Sequence, residues 1–446
     1  MAIPTLSRRD YLTLSAAGVI GFSMSGWLKV LADGTAKDRK RKRSCILLWM
    51  NGGPSQMDTF DLKPGHENGG PFQEIKTNVP GVRISEHLSR LAKHGDRLAV
   101  IRSMSTREAD HGRGTYLMHT GHVPGGPIDY PSMGALFAKE LEPPDLELPS
   151  FVSIAPNNLV PAAQRAGFLD PRYSSFVLGA GGLVDFTGAP PANYEQLLKV
   201  QDSERPAEVS AAQAAARLKF LEEADEEFLR DRPDGPAASH RAAYRRAVAL
   251  MRSDAAKAFN LGEEPKGLRE RYGNNLFGQG CLLARRLVER GVPFVEVTLS
   301  GAAGANSWDT HSNNFEGVKK LSAVLDPAWA TLLEDLDDKG LLDTTLIVWA
   351  GEFGRTPHIN RNRGRDHWAK SWSTVLAGGG VKGGQVVGKT SADGTEVAER
   401  PVDGQDFLAT VGLALGVDIT KPNVSNIGRP VRITEPTAKP IKEVVA

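Results

Sequence analysis

Cysteine is nearly absent from this 446-residue chain. Its two thiols, Cys45 and Cys281, exclude a disulfide framework and a zinc site built from cysteine. Aromatic residues make up 7% of the sequence and charged residues 24%, against 40% hydrophobic, which excludes a disordered, collagen-like or multi-span membrane chain. A transmembrane helix is also missing: the apolar stretch from Leu14 to Leu31 is broken by Gly18, Gly21 and Gly26. Nor is there an excess of one charge, since the net value is +1. That balance hides a block, Lys37–Arg43, with six basic side chains and one acidic, so the chain beyond Arg43 is mildly acidic. An acidic body excludes a nucleic-acid-binding face as the basis of function.

What is present begins with Ser7-Arg8-Arg9-Asp10-Tyr11-Leu12 ahead of that short apolar stretch. Paired arginines in this setting resemble a bacterial twin-arginine signal, which exports proteins already folded. Residues 1–36 are therefore expected to be an export signal and 37–43 a solvated linker. The body, 44–446, is expected in the periplasm or outside the cell, without an integral membrane span.

Four continuous apolar runs read as buried strands: Cys45–Met50, Leu98–Ile101, Phe294–Leu299 and Thr345–Ala350, with Val375–Gly378 a weaker fifth. Helical patterns precede three of them, at Leu88–His94, Leu282–Arg290 and Leu321–Leu336. Buried strands alternating with helices predict an α/β fold with a mostly parallel sheet flanked by helices. Residues 206–258, rich in Ala, Glu and Arg, predict a helical insertion broken near Arg232-Pro233-Asp234-Gly235-Pro236. The Gly378–Gly384 run lacks the strand–loop–helix setting of a phosphate loop and reads as a tight turn.

Ligands of open α/β sheets bind beyond the carboxyl ends of the strands. There the sequence places Asp58 after the first strand, and Arg107, His111 and Arg113 after the second. Asp309 and His311 follow the third, and Glu352, Arg355, Asp366 and His367 the fourth. Asp309-Thr310-His311 aims two ligand-type side chains to one face if extended. Nitrogen with carboxylate oxygen suits zinc, manganese or iron better than calcium. Adjacent Asp366 and His367 either share an ion or divide into ligand and orienting partner. Glu352 needs a charge partner directly after a buried strand, and Arg355 is one candidate.

Several of these motifs, in order, resemble a bacterial family known as domain of unknown function 1501. They are the twin-arginine start, Gly52–Asp61 (GPSQMDTFD after Gly52), Trp308-Asp309-Thr310-His311, Gly351–Pro357 (GEFGRTP) and Gly364-Arg365-Asp366-His367-Trp368. That family in turn resembles the alkaline phosphatase and sulfatase superfamily, which implies an alkaline phosphatase-like fold and hydrolysis of phosphate or sulfate esters at metal ions. Sulfatases carry Cys-x-Pro-Ser-Arg followed by a Thr-Gly pair. Here Thr120-Gly121 fits the pair, but His111 stands where the cysteine belongs, Arg113 replaces the proline and Thr115 the arginine, so no formylglycine forms. Asn51 falls where the superfamily usually has its first metal-binding aspartate. Glu352 can replace the aspartate of the superfamily's Asp-His-Gly, while Phe353 cannot replace its histidine. Gly404–Val417 resembles a late packing helix.

Two readings follow. In the first, Asp309, His311, Glu352, Asp366 and His367, with Asp58 as a further ligand, hold a divalent metal, zinc or manganese. His111 or an activated water attacks an anionic ester or a sulfated or phosphorylated glycan. Arg107, Arg113 and Arg355 neutralise charge developing on its oxygens. In the second, the fold is kept without chemistry, and the pocket binds an anionic glycan or a cell-surface partner.

Overall fold

A computed structural model describes residues 43–156, 160–179, 194–200, 208–230, 254–300 and 307–446, with isolated positions between 241 and 250. The expected signal and nearly all of the linker lie outside the described residues, as does the break at 232–236.

Eight strands form the central sheet: β1 Ser44–Met50, β2 Leu98–Met104, β3 Phe151–Ile154, β4 Phe176–Leu178, β5 Phe294–Leu299, β6 Thr345–Ala350, β7 Trp372–Gly378 and β8 Gln385–Val387. Their spatial order is β8-β2-β7-β6-β1-β5-β3-β4. β1 lies between β5 and β6, parallel to both, and β3 continues the parallel set to β4. β7 runs antiparallel to β2 and β6, so the sheet is mostly parallel, with one reversed strand. The turn Gly378–Gly384 joins β7 to β8, as its composition suggested.

Both faces of the sheet are covered, which is why the strands read as unbroken apolar runs. In β1, Ile46, Leu48 and Met50 point into one core, with Trp329, Leu332 and Leu336 of a long helix. Cys45, Leu47 and Trp49 point into the other, with Phe137, Leu408 and Val411. The helices used below are α1 His111–Thr120, α2 Met133–Leu141, α3 Ala211–Arg230, α4 Leu276–Glu289, α5 Asn314–Asp338 and α6 Gly404–Ala414. α4 and α5 cover the first face, α2 and α6 the second. Among the described residues, no helix is long and apolar enough to cross a membrane.

One expected helix takes another form. Leu88–His94 falls across two 3₁₀ segments, Glu86–Leu88 and Leu91–Arg97. The buried Asp326 carboxylate of α5 accepts the amides of Arg90 at 2.9 Å and Leu91 at 2.8 Å. Those donors cannot then serve a continuous α-helix.

Candidate metal centre

Because the strands flanking β1 run parallel to it, the segments that follow β1, β5 and β6 emerge at one edge of the sheet. The first supplies backbone. Gly52 has φ +106°, and a Cβ there would lie 2.4 Å from the amide nitrogen of Asp309, so glycine alone permits this approach. The Gly52 amide donates to Glu352 Oε1 at 2.9 Å, and the Gly52 and Gly53 carbonyls accept from Arg355. Gln56 clamps the Arg355 backbone, donating to its carbonyl at 2.8 Å and accepting its amide at 3.0 Å.

Beyond β2, Asp110 caps α1 by accepting the Arg113 amide at 3.0 Å, which sets His111 at the first helical position. α1 ends at Gly121 in the left-handed conformation. Beyond β6, Gly354–Arg355 pairs antiparallel with His367–Trp368 and turns His367 back toward His111. The 310–314 segment is sewn to 360–365. Arg365 donates its amide to Thr310 O at 3.0 Å, the Asn360 side chain donates to His311 O at 3.0 Å, and Gly364 sits where a Cβ would lie 1.9 Å from that oxygen.

Three imidazoles and one carboxylate meet here. Asp309 Oδ1 lies 3.4 Å from His111 Nε2, 3.1 Å from His311 Nε2 and 3.3 Å from His367 Nε2. The Nε2 atoms of His311 and His367 are 3.0 Å apart. Ligand atoms of His111, Asp309 and His367 all fall within 4.8 Å of one another, a spacing that one ion can bridge.

The far nitrogen of each ring faces an acceptor. His111 Nδ1 lies 2.6 Å from Glu352 Oε1, His311 Nδ1 2.7 Å from Asp366 Oδ1, and His367 Nδ1 2.7 Å from the Ala109 carbonyl. Assigned from this network, all three carry their proton on Nδ1 and turn an Nε2 lone pair inward. Metal-ligating histidines are held in this way. Buried His111 Nε2 has no hydrogen-bond partner among the described residues, so the donor set fits a cation with nitrogen and oxygen ligands.

The electrostatics agree with a site that needs positive charge. Burial lowers the His111 pKa, but Asp309 and Glu352 outweigh it and raise it to about 9, so without a cation a proton takes its place. Burial raises that of Asp309, yet His111, His367 and Arg355 hold it well below the usual carboxylate range. The His311 hydrogen bond likewise lowers Asp366.

The expected site residues thus divide by position. His111, His311 and His367 each turn Nε2 toward Asp309 Oδ1, and His111, Asp309 and His367 form the group whose ligand atoms lie within 4.8 Å of one another. Glu352 and Asp366 stand behind two of the rings, with Glu352 paired to His111 instead of Arg355. Arg355 is fully buried. Its guanidinium donates to Asp309 at 2.6 Å, to Gly53 O at 3.0 Å, to Arg365 O at 3.3 Å and to Gly52 O, so four of its five N–H groups are engaged within the protein and the side chain has no exposed surface. Arg113 is exposed and forks onto Glu108 at 2.5 and 2.9 Å. Asp58 is not brought to the cluster: Arg365, Asn314 and Ser55 saturate its carboxylate. The Ala109 carbonyl and the Gly52 amide, being backbone, left no side-chain signal in the sequence. Phe353 lies under the rings, 5.0 Å from His111 and 4.8 Å from His367 between centroids. Trp308 is core, and Trp368 donates its indole N–H to Ser371 and the Thr395 carbonyl.

Comparison with curated proteins gives no match. Among solved structures, the chain is similar to the PsFucS1 sulfatase from Pseudoalteromonas sp., at 14% identity over 90% of this chain and 73% of that one, with a TM-score of 0.39. It is similar to the lipoteichoic acid synthase LtaP from Listeria monocytogenes at 9% identity, covering 89% and 75%, with a TM-score of 0.41. The alkaline phosphatase from the Antarctic bacterium TAB5 matches at 13% identity, covering 76% and 93%, with a TM-score of 0.33. The family described as "protein of unknown function (DUF1501)" matches residues 42–445, and the chain belongs to it.

Proposed function

We propose that the protein is an exported, metal-dependent hydrolase of phosphate or sulfate esters, acting on an anionic ester such as a sulfated or phosphorylated glycan. The observation that carries this reading is the pair His311 and His367. Their Nδ1 atoms are engaged by Asp366 and the Ala109 carbonyl, so two Nε2 lone pairs face each other at 3.0 Å beside the Asp309 carboxylate. Two lone pairs and an anion at that spacing repel one another unless a proton or a metal cation lies between them. The ester class rests on the resemblance of the ordered motifs to the phosphatase and sulfatase superfamily.

His111, His311, His367 and Asp309 would hold zinc or manganese. When bound, such an ion supplies Lewis acidity toward an ester oxygen and lowers the pKa of water to about 7. Glu352 and Asp366 keep the rings in the right tautomer and raise their basicity. Arg355 orients Asp309. Arg107 is the arginine left to meet substrate charge: it is exposed, two residues from Ala109, and has no hydrogen-bond or ion-pair partner among the described residues. Export is proposed from Arg8-Arg9, and an Arg8→Lys/Arg9→Lys chain should stay in the cytoplasm on fractionation.

The test is turnover of chromogenic phosphate and sulfate monoesters by protein stripped of metal and then reloaded with zinc or manganese. Activity should appear on reloading, vanish with chelator, and fall at least ~100-fold in His311→Ala. A second reading has its own support: four protein donors can close a tetrahedral shell, as structural sites do. Bound metal without turnover of any ester would favour that reading, with the pocket binding an anionic partner.

A further inference from the structure

Asp58 lies outside the imidazole cluster, and its surroundings give it a different task. It closes the 3₁₀ turn Gln56–Asp58 after β1 and is fully buried. Its Oδ2 accepts from three places: Ser55 Oγ at 2.6 Å, Asn314 Nδ2 at 2.9 Å and Arg365 Nε at 2.7 Å. Its Oδ1 accepts Arg365 Nη2 at 3.3 Å.

Both long-range donors lead to the segments that carry the imidazole cluster. Asn314 Oδ1 accepts Thr310 Oγ1 at 2.6 Å, and Thr310 stands between Asp309 and His311. Arg365 stands two residues before His367. The rest of its guanidinium donates to the carbonyls of Asn68 at 2.9 Å, Thr356 at 3.1 Å and Pro357. Asn314 and Arg365 have no exposure, so water cannot replace these bonds without opening the core. A shift of either segment must therefore pull on the same carboxylate oxygen.

We infer that Asp58 is a positioning residue for the metal centre. Through Asn314 and Arg365 it fixes the separation of the 309–311 segment from His367. The inference rests on the metal-centre reading. Ligand geometry must hold within about 0.5 Å for a site to keep its affinity, and a buried anion bonded to both segments supplies that constraint.

The test uses the full chain, with zinc affinity by chelator competition, the visible spectrum of the cobalt(II) form, and thermal unfolding of metal-free protein. Asp58→Asn alone strands the buried Arg365 charge, so the main variant is Asp58→Asn/Arg365→Gln, which removes both charges together, and the shorter glutamine also gives up the bonds to the Asn68, Thr356 and Pro357 carbonyls. Asn314→Ala is a milder cut on the Thr310 side alone. Asp335→Asn is the control, because it weakens the buried Arg285–Asp335 pair, 2.8 Å, on the α4–α5 side of the core. The double variant should lose zinc affinity roughly 10-fold or more and change the cobalt spectrum. Asn314→Ala should show a smaller loss of the same sign, and Asp335→Asn should lower the melting temperature with zinc affinity intact. Wild-type zinc affinity and cobalt spectrum in both the double variant and Asn314→Ala would overturn the inference. A wild-type chain that binds no zinc or cobalt overturns the metal-centre reading itself, before any variant is compared.

Discussion

Replacing Glu352 with glutamine keeps its shape and removes its charge, which isolates what the carboxylate does for His111. Glu352 Oε1 accepts His111 Nδ1–H at 2.6 Å and the Gly52 amide at 2.9 Å, with the side chain fully buried. A hydrogen bond to a buried charged group contributes about 1.5–3 kcal/mol, and losing such support behind a ligating histidine weakens metal affinity roughly 10- to 100-fold. Asp366 makes the matching bond to His311 at 2.7 Å, but its side chain is 54% exposed. Solvent screening there reduces the expected effect of Asp366→Asn to about 0–1 kcal/mol, or at most roughly 5-fold. Zinc titration against a competing chelator should therefore rank wild type first, Asp366→Asn close behind and Glu352→Gln clearly last. Equal affinities for wild type and Glu352→Gln, or the reverse order of the two variants, would refute the reasoning from burial.

Proton competition gives a pH dependence. The His111 pKa of metal-free protein is raised to about 9, so below that pH a cation must displace a proton, and zinc affinity should climb with pH and level off near 9. For the metal-free protein, a pKa raised above the ordinary 6.5 means the His111 pairing stabilises fully below pH 6.5 and loses that effect as pH rises through 9. Thermal unfolding across that window should show a decline that His111→Gln removes. Arg355→Met would strip the buried partner from Asp309 and leave the Gly52, Gly53 and Arg365 carbonyls short of a donor. Urea melts of metal-free protein should lose about 2–4 kcal/mol, discounted for the partial exposure of Asp309, and a loss under ~0.5 kcal/mol would contradict the assigned role. Gly52→Ala should destabilise far more than Gly65→Ala. Both glycines have positive φ, but a Cβ at 52 meets Asp309 N at 2.4 Å while one at 65 meets nothing within 4 Å. Equal melting temperatures for the two would contradict the close approach.

Strand identity was legible in the sequence because burial on both faces leaves no polar alternation, as in Cys45–Met50 and Thr345–Ala350. The delivery of His111, Asp309, His311 and His367 to one edge was legible for a related reason: each lies in the segment that follows a strand of the sheet, and parallel strands end together. Strand direction was not, since nothing within Trp372–Gly378 encodes that β7 runs against β2 and β6. Roles within the site were also hidden. Glu352 and His111 are 241 positions apart, and only the folded chain shows that one stands behind the other. Arg355 looked like a substrate clamp in sequence, yet the Gly52, Gly53 and Arg365 carbonyls that occupy it are backbone and carry no signature. Asp58 read as a ligand because its partner Arg365 comes 307 residues later.

The central claim is that His111, His311, His367 and Asp309 hold a metal ion. Elemental analysis of the folded, exported protein beside Asp309→Ala and His367→Ala tests it most directly. Stoichiometric zinc or manganese in the wild type, lost in both variants while they remain folded, is the predicted result. A wild-type protein free of metal under replete conditions, or metal retained undiminished in both variants, would contradict the account.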